Sequence, residues 1–202
     1  MKVNIILLFI IVLATASNAW ALDKNGKFAI KGIGNIPCLE FVKMIEQDNP
    51  QKFLFAGWLN GYMTAHNQHL KETFDIVSWE NIETMGTYLR NHCKTNPKLS
   101  FFQATTQLLS ELYAQRIVEF VGAENLGTGQ QSKKSYFQVI ARVQKRLKEL
   151  KIYDGKIDGR MSKKLTDALD FFRNQQGIPH NNFLDQRVLH ALLRENKVNS
   201  TN

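Results

Sequence analysis

The chain has 202 residues, with 26 Lys and Arg against 18 Asp and Glu and a formal net charge of +8. That length holds one ordinary domain or two small ones. A basic balance would point to nucleic acid in the cytoplasm, but the N-terminus points outside it, which excludes nucleic acid as the expected partner.

Residues 1–21 have the pattern of an export segment. Lys2 supplies a thin positive start, Ile5 to Ala16 is an apolar run, and Ala19-Trp20-Ala21 fits a small-x-small cleavage site, so Leu22 is the expected mature start. The rival reading is a retained anchor, but the run is shorter than the roughly 20 apolar residues that span a bilayer. No later stretch is long and apolar enough to span, so no stable membrane span is expected after cleavage. The location implied is the periplasm, the cell envelope or the outside.

Residues 22–121 predict four helices. The first runs from Pro37-Cys38 to about Gln47. The second opens at Asn49-Pro50, where Asn caps and Pro suits the first turn, and carries Phe53, Phe55, Trp58, Leu59, Tyr62 and Met63. The third follows Ser78 with Ile82, Met85, Leu89 and Cys93. The fourth opens on Ser100-Phe101-Phe102-Gln103, a capping box, and carries Leu108, Leu109, Leu112, Ile117 and Phe120. Gly57 and Gly61, four apart on the second helix, each cost about 1 kcal/mol relative to Ala and are expected where helices pack closely. Trp58 and Tyr62 are expected in the core. Cys38 and Cys93 are the only cysteines. In an oxidising compartment such a pair closes a disulfide, which would staple the first helix to the third. The alternative makes Cys93, next to His92, a nucleophile.

Cys38, the string Trp58-Leu59-Asn60-Gly61-Tyr62 and the string His92-Cys93-Lys94-Thr95-Asn96-Pro97 resemble small exported helical proteins with one disulfide. Over about residues 34–120 the chain is similar to the HdeA-like periplasmic acid-stress chaperones and to type VI secretion immunity proteins of the Tai/Rap kind. The resemblance implies a helical, disulfide-stapled binding module rather than an enzyme.

Gly122 to Ser135 is polar, Gly-rich and without apolar periodicity, and is read as a flexible linker. The charge is divided there: residues 22–121 are balanced, and residues 122–202 hold 15 Lys and Arg against 8 Asp and Glu. Three short helices follow in 136–202. The first runs from about Tyr136 to Leu150 with Val139, Val143, Leu147 and Leu150 on one face. The second starts after Ser162, an N-cap, with Leu165, Ala168, Leu169 and Phe172 inward, and Gly177-Ile178-Pro179 stops it. Asp185 caps the third, with Val188, Leu189 and Leu192 inward. Between the first two lies the loop Tyr153 to Gly159, where Gly155 and Gly159 are expected to supply positive φ.

Tyr153, Gly155, Ile157, Asp158, Gly159, Ala168, Leu169, Phe172, Gly177, Ile178, Pro179, Leu184 and Asp185 match the pattern of the small three-helix peptidoglycan-binding domain family, which residues 138–195 resemble. Ser162, Arg173 and Asn182 depart from the family's usual Gly, Gln and Gly. The resemblance implies binding to peptidoglycan, with Tyr153, Asp154, Lys156, Asp158 and Arg160 as exposed candidates. Tyr would stack on a sugar or peptide, and Lys and Arg would pair with stem-peptide carboxylates.

No catalytic set is legible. His66 and His69 share a helix face, but zinc needs a third ligand. No Ser-x-x-Lys or Gly-x-Ser-x-Gly pattern and no Gly-rich phosphate loop occurs. The expectation is a non-enzymatic, all-α protein without metal or cofactor: an N-terminal four-helix disulfide-stapled bundle plus a small three-helix peptidoglycan-binding-type domain. The first would bind another exported envelope protein and the second the wall. An acid-stress chaperone or immunity-type protein is the alternative, and a wall hydrolase with an unrecognised site is a third.

Overall fold

The computed structural model describes residues 22–126, 133–181 and 184–194. The described residues fall into two units, divided between Ile30 and Lys31. In the first, the Asp23 carboxylate accepts the Asn25 and Lys27 amides, each at 2.8 Å, which closes a turn. The export segment and its cleavage site lie outside the described residues, as do Asn182 and the C-terminal tail.

The second unit is mostly helical with one small two-stranded sheet. A 3-10 turn at Gly32–Asn35 leads into α1 (Cys38–Glu46), α2 (Lys52–His69), α3 (Ile82–Thr95) and α4 (Phe101–Leu112). After β1 (Ala123–Leu126) and β2 (Lys133–Tyr136) come α5 (Phe137–Glu149), α6 (Lys163–Gln176) and α7 (Gln186–Leu193).

Helices α1–α4 share one buried core built on Phe41, Phe55, Leu59, Met85, Leu89, Phe101 and Leu108. The Phe41, Phe55 and Phe101 rings meet with centroids 4.7–4.9 Å apart at tilted or edge-on angles, the arrangements that ring quadrupoles favour. Cys38 and Cys93 are fully buried and disulfide-bonded, with Cα atoms 4.9 Å apart. The bond closes a loop with a sequence separation of 55, which in the chain-entropy picture is worth about 4 kcal/mol. It also removes Cys93 from nucleophilic chemistry. The chain before α1 pairs with the chain before α4: Cys38 N–H donates to Leu99 O and Phe101 N–H to Ile36 O, both at 2.8 Å.

Several helix ends follow their local chemistry. Ser100 and Gln103 form the expected reciprocal capping box on α4. The second helix starts at Lys52 rather than at Asn49-Pro50, and Asn49 Oδ1 accepts the Gln51 amide just ahead of it. The third helix starts later than expected, after Asn81, whose side chain accepts from the Thr84 amide. The fourth ends sooner. A 3-10 turn at Tyr113–Gln115 breaks it, and Ile117 pairs with Asp75 in an isolated antiparallel bridge. Phe120, expected on the same face, is half exposed.

A second core gathers Val139, Ile140, Val143, Leu147, Leu165, Leu169, Phe172, Val188, Leu189 and Leu192 from α5–α7. Trp79 and Ile117, which lie between and beyond the first four helices, are buried in this core as well. Ser162 and Asp185 cap α6 and α7 as their chemistry predicts, and Gly177 ends α6 in the left-handed conformation. Leu150 is more exposed than the other three residues of its face.

The reading of 122–135 as a flexible linker needs correction at both ends. Ala123–Leu126 and Lys133–Tyr136 pair as antiparallel strands, from Ala123 opposite Tyr136 to Leu126 opposite Lys133. Leu126 is buried in the second core and Glu124 Oε2 accepts the Met161 amide at 2.9 Å. Residues 127–132, which hold the Gly-rich part, lie outside the described residues. Polar composition hid the strands because four-residue strands with one buried side chain leave no apolar alternation to read.

Gly57 and Gly61 also differ from expectation. Both lie on the exposed face of α2, and no heavy atom lies within 4 Å of a Cβ added at either. No close helix packing requires them. Gly57→Ala and Gly61→Ala should each raise stability by about 1 kcal/mol, read as a higher urea midpoint with an unchanged slope.

Candidate functional site

Three regions concentrate the chemistry: the loop after α5, the seam between the two cores, and the outer face of α2.

In the loop, the centre is a residue that apolar spacing passes over. Gln144 on α5 is fully buried and satisfies both ends of its amide. Its Oε1 accepts the Asp158 and Gly159 amides, and its Nε2 donates to Asp158 Oδ1 and Arg160 O, all at 2.9 Å. Its place four residues after Ile140 and three before Leu147 is the signal: a polar side chain on the buried stripe must find partners there. Gly159 has φ 72°, and a Cβ there would press on the Phe137 carbonyl. Gly155 does not have the expected positive φ. It is required for another reason, because a Cβ there would overlap the Tyr153 ring.

This geometry changes the candidate wall-binding set. Tyr153 is buried, with its hydroxyl donating to Lys156 O at 2.8 Å. It is a pillar of the loop and offers no face for stacking, so truncating it would damage the loop rather than test binding. Asp154, Lys156, Asp158 and Arg160 are exposed, as expected. Asp154 pairs with Lys164 at 2.6 Å, and that hydrogen bond holds its carboxyl below the usual range. Asp158 is lowered chiefly by Gln144 and then by the Arg160 amide. Arg160 lies over the Phe137 ring at 3.7 Å.

At the seam, Gln186 at the start of α7 accepts from the Asn81 amide at 3.0 Å and from Thr84 Oγ1 at 2.7 Å, and donates to Trp79 O at 2.7 Å. Arg142 on α5 donates to Ser78 Oγ, Gln115 O and Arg116 O at 2.7–3.3 Å. Tyr136 donates to Asp75 Oδ2 at 2.9 Å, and its own ionisation is pushed up to about 12, by burial first and then by the Asp75 charge. Glu80 is buried here between Arg142 and Arg194, and burial outweighs both cations to raise its carboxyl.

Behind the seam, Arg173 is fully buried and donates to Asp185 Oδ2 at 2.8 Å and to Pro179 O at 3.0 Å. This explains why Arg can stand where the resembled family has Gln. Burial pushes the Asp185 carboxyl up, but the Val188 amide, Asn181 and Arg173 together hold it below its ordinary 3.8.

The outer face of α2 exposes large apolar side chains. Phe53 and Leu54 are 70% and 58% exposed. They border an apolar groove with Ile33, Ile36, Gly57 and Trp58. Trp58 and Tyr62 stack at 5.0 Å, half-buried against the core. His66 Nδ1 is 3.1 Å from Tyr62 O. Among the described residues no group of three or more His, Cys, Asp or Glu could hold a metal, and no helix is long and apolar enough to cross a membrane.

Asp185→Asn keeps the N-cap and removes the charge beside Arg173. Because the folded carboxyl is depressed, its contribution is present above 3.8 and is lost as pH falls through the folded value. The variant should lose about 3 kcal/mol at neutral pH, and the gap from the parent should close on acidification. Denaturant melts across pH check both.

Residues 4–103 match the model of the HdeA/HdeB family. The match runs through the disulfide-stapled helices to the start of α4 and ends before the loop and most of the seam. No curated protein and no solved structure matches the chain.

Proposed function

We propose that the protein is an exported, non-enzymatic holdase of the acid-stress type, which keeps other envelope proteins from aggregating at low pH. The observation that carries this reading is the pair Phe53 and Leu54, exposed on a helix inside the disulfide loop and inside the segment matched by the HdeA/HdeB family. A large exposed apolar patch on a folded surface marks a place where other chains dock. Acid adds to it. Protonating Asp185 removes the negative charge that faces the buried Arg173 and so weakens that pair. Glu46, lowered by its bond to Lys94, loses that support in the same direction.

The test is aggregation of an acid-labile client protein at about pH 3, below the ordinary carboxylate range. The parent chain should suppress light scattering there and much less at neutral pH. Phe53→Ser with Leu54→Ser should lower the suppression about threefold or more, since each truncation removes one to two kcal/mol of apolar burial from the complex. Client aggregation unchanged by the parent chain at every pH would refute the holdase reading.

A second reading attaches the C-terminal helices to peptidoglycan. Ile157 favours it: this side chain is 48% exposed at the loop tip, between Lys156 and Arg160. With Tyr153 buried, the contact would rest on Lys156, Ile157 and Arg160. Co-sedimentation with purified sacculi should fall at least about tenfold in a Lys156→Ala, Ile157→Ser, Arg160→Ala variant that keeps its melting temperature. Equal pelleting of parent and variant, or none by either, would remove this reading.

A further inference from the structure

A cavity of about 400 Å³ lies among α1, α2 and α3, and Phe53 borders both it and the groove that carries Leu54. It is lined by Phe41, Phe55, Leu59, Ile82, Leu89 and Phe101. Gly86 gives it width, since no heavy atom lies within 4 Å of a Cβ built there. That volume falls in the usual range for small-molecule pockets, roughly 300–1,000 Å³.

Its polar lining is sparse and has a sign. Lys52, Glu83 and Arg90 are the charged residues that reach it. Lys52 is held by Asp48, and nearby Glu46 pairs with Lys94 at 2.7 Å. Arg90 acts on Glu46 through space but forms no ion pair with it, and its Nε is buried without a hydrogen-bond acceptor among the described residues. Glu83 stands seven residues earlier on the same helix, about 10 Å away along the axis. The apolar space therefore has the Arg90 and Lys52 cations on its lining, and the Glu83 carboxylate is displaced about two turns from Arg90.

We propose that this cavity binds a single-chain fatty acid, with the chain against the phenylalanines and leucines and the carboxylate on the Arg90 guanidinium. A carboxylate matches the guanidinium through a charge-assisted hydrogen bond. A neutral apolar ligand leaves that charge unmatched, and a peptide segment would bring backbone groups into a space with few partners for them. At about 30 Å³ for each small group, the cavity suits a chain of about ten to twelve carbons. This binding does not rest on the holdase reading: it belongs to the folded protein at neutral pH.

The test is calorimetric titration of the full chain at neutral pH with dodecanoate below its micelle-forming concentration. Saturable binding of one dodecanoate per chain is expected, with dodecanol at least about tenfold weaker and dodecyltrimethylammonium weaker still. Arg90→Gln should weaken dodecanoate about tenfold and leave dodecanol unchanged. Gly86→Leu fills the cavity with a better helix former and should abolish binding of both while the melting temperature holds. The proposal is overturned by absent or non-saturable dodecanoate binding, by the ammonium or the alcohol binding as tightly as the carboxylate, or by undiminished binding in Gly86→Leu.

Discussion

The stretch from Asp75 to Asn81 belongs to two cores at once, and the rest of the second unit is arranged around that constraint. Ile76 and Val77 are buried with α1–α4, whereas Trp79 is buried with α5–α7. Asp75 bridges to Ile117 and receives the Tyr136 hydroxyl, and Asn81 caps α3 while its amide is taken by Gln186. A segment with no helix or strand of its own must place its backbone polar groups somewhere. Here the partners come from both sides, so neither set of helices can be repacked without disturbing this segment.

The acid response of the molecule is mixed in sign, and burial decides which way each group pulls. Asp185 has burial working against it, but three partners outweigh burial, so its support disappears in acid. Glu80 has burial as its largest influence, and two nearby arginines do not reverse it. Its raised carboxyl means that its contribution is fully present at low pH and is lost as pH rises through the folded value. Acid therefore loosens the region behind α7 while relieving the centre of the seam. Partial opening is the natural outcome of such a division, with some regions released before others.

Where side-chain chemistry acts locally, the sequence was legible: the Ser100–Gln103 box, Ser162 and Asp185 as caps, Gly177 as a stop, and the core faces of α5–α7. The disulfide was legible because only two cysteines were present. Long-range demands were not. Nothing near Gln144 in sequence announces that it will be buried, beyond its position on an apolar stripe. Tyr153 looked like a surface aromatic because its loop is polar, yet the loop closes over it. Gly57 and Gly61 looked like packing residues and face water. The hairpin was concealed by composition, and Arg142, Glu80 and Gln186 meet only because two distant stretches pack together. In that loop, the exposure of Asp154, Lys156, Asp158 and Arg160 was legible and the burial of Tyr153 was not.

The Cys38–Cys93 bond has a topological consequence. Helix α2 and most of α3 lie between the two cysteines, so they sit on a covalent ring. When tertiary packing loosens, Phe53 and Leu54 are displayed on a closed loop whose ends remain joined, and the ring cannot extend as a free chain would. The apolar pair, already exposed in the folded protein, stays on that ring without the protein losing the memory of its own connectivity. A closed ring has less conformational freedom to surrender when neutral conditions return. Recovery of the fold is then a rearrangement within one closed loop.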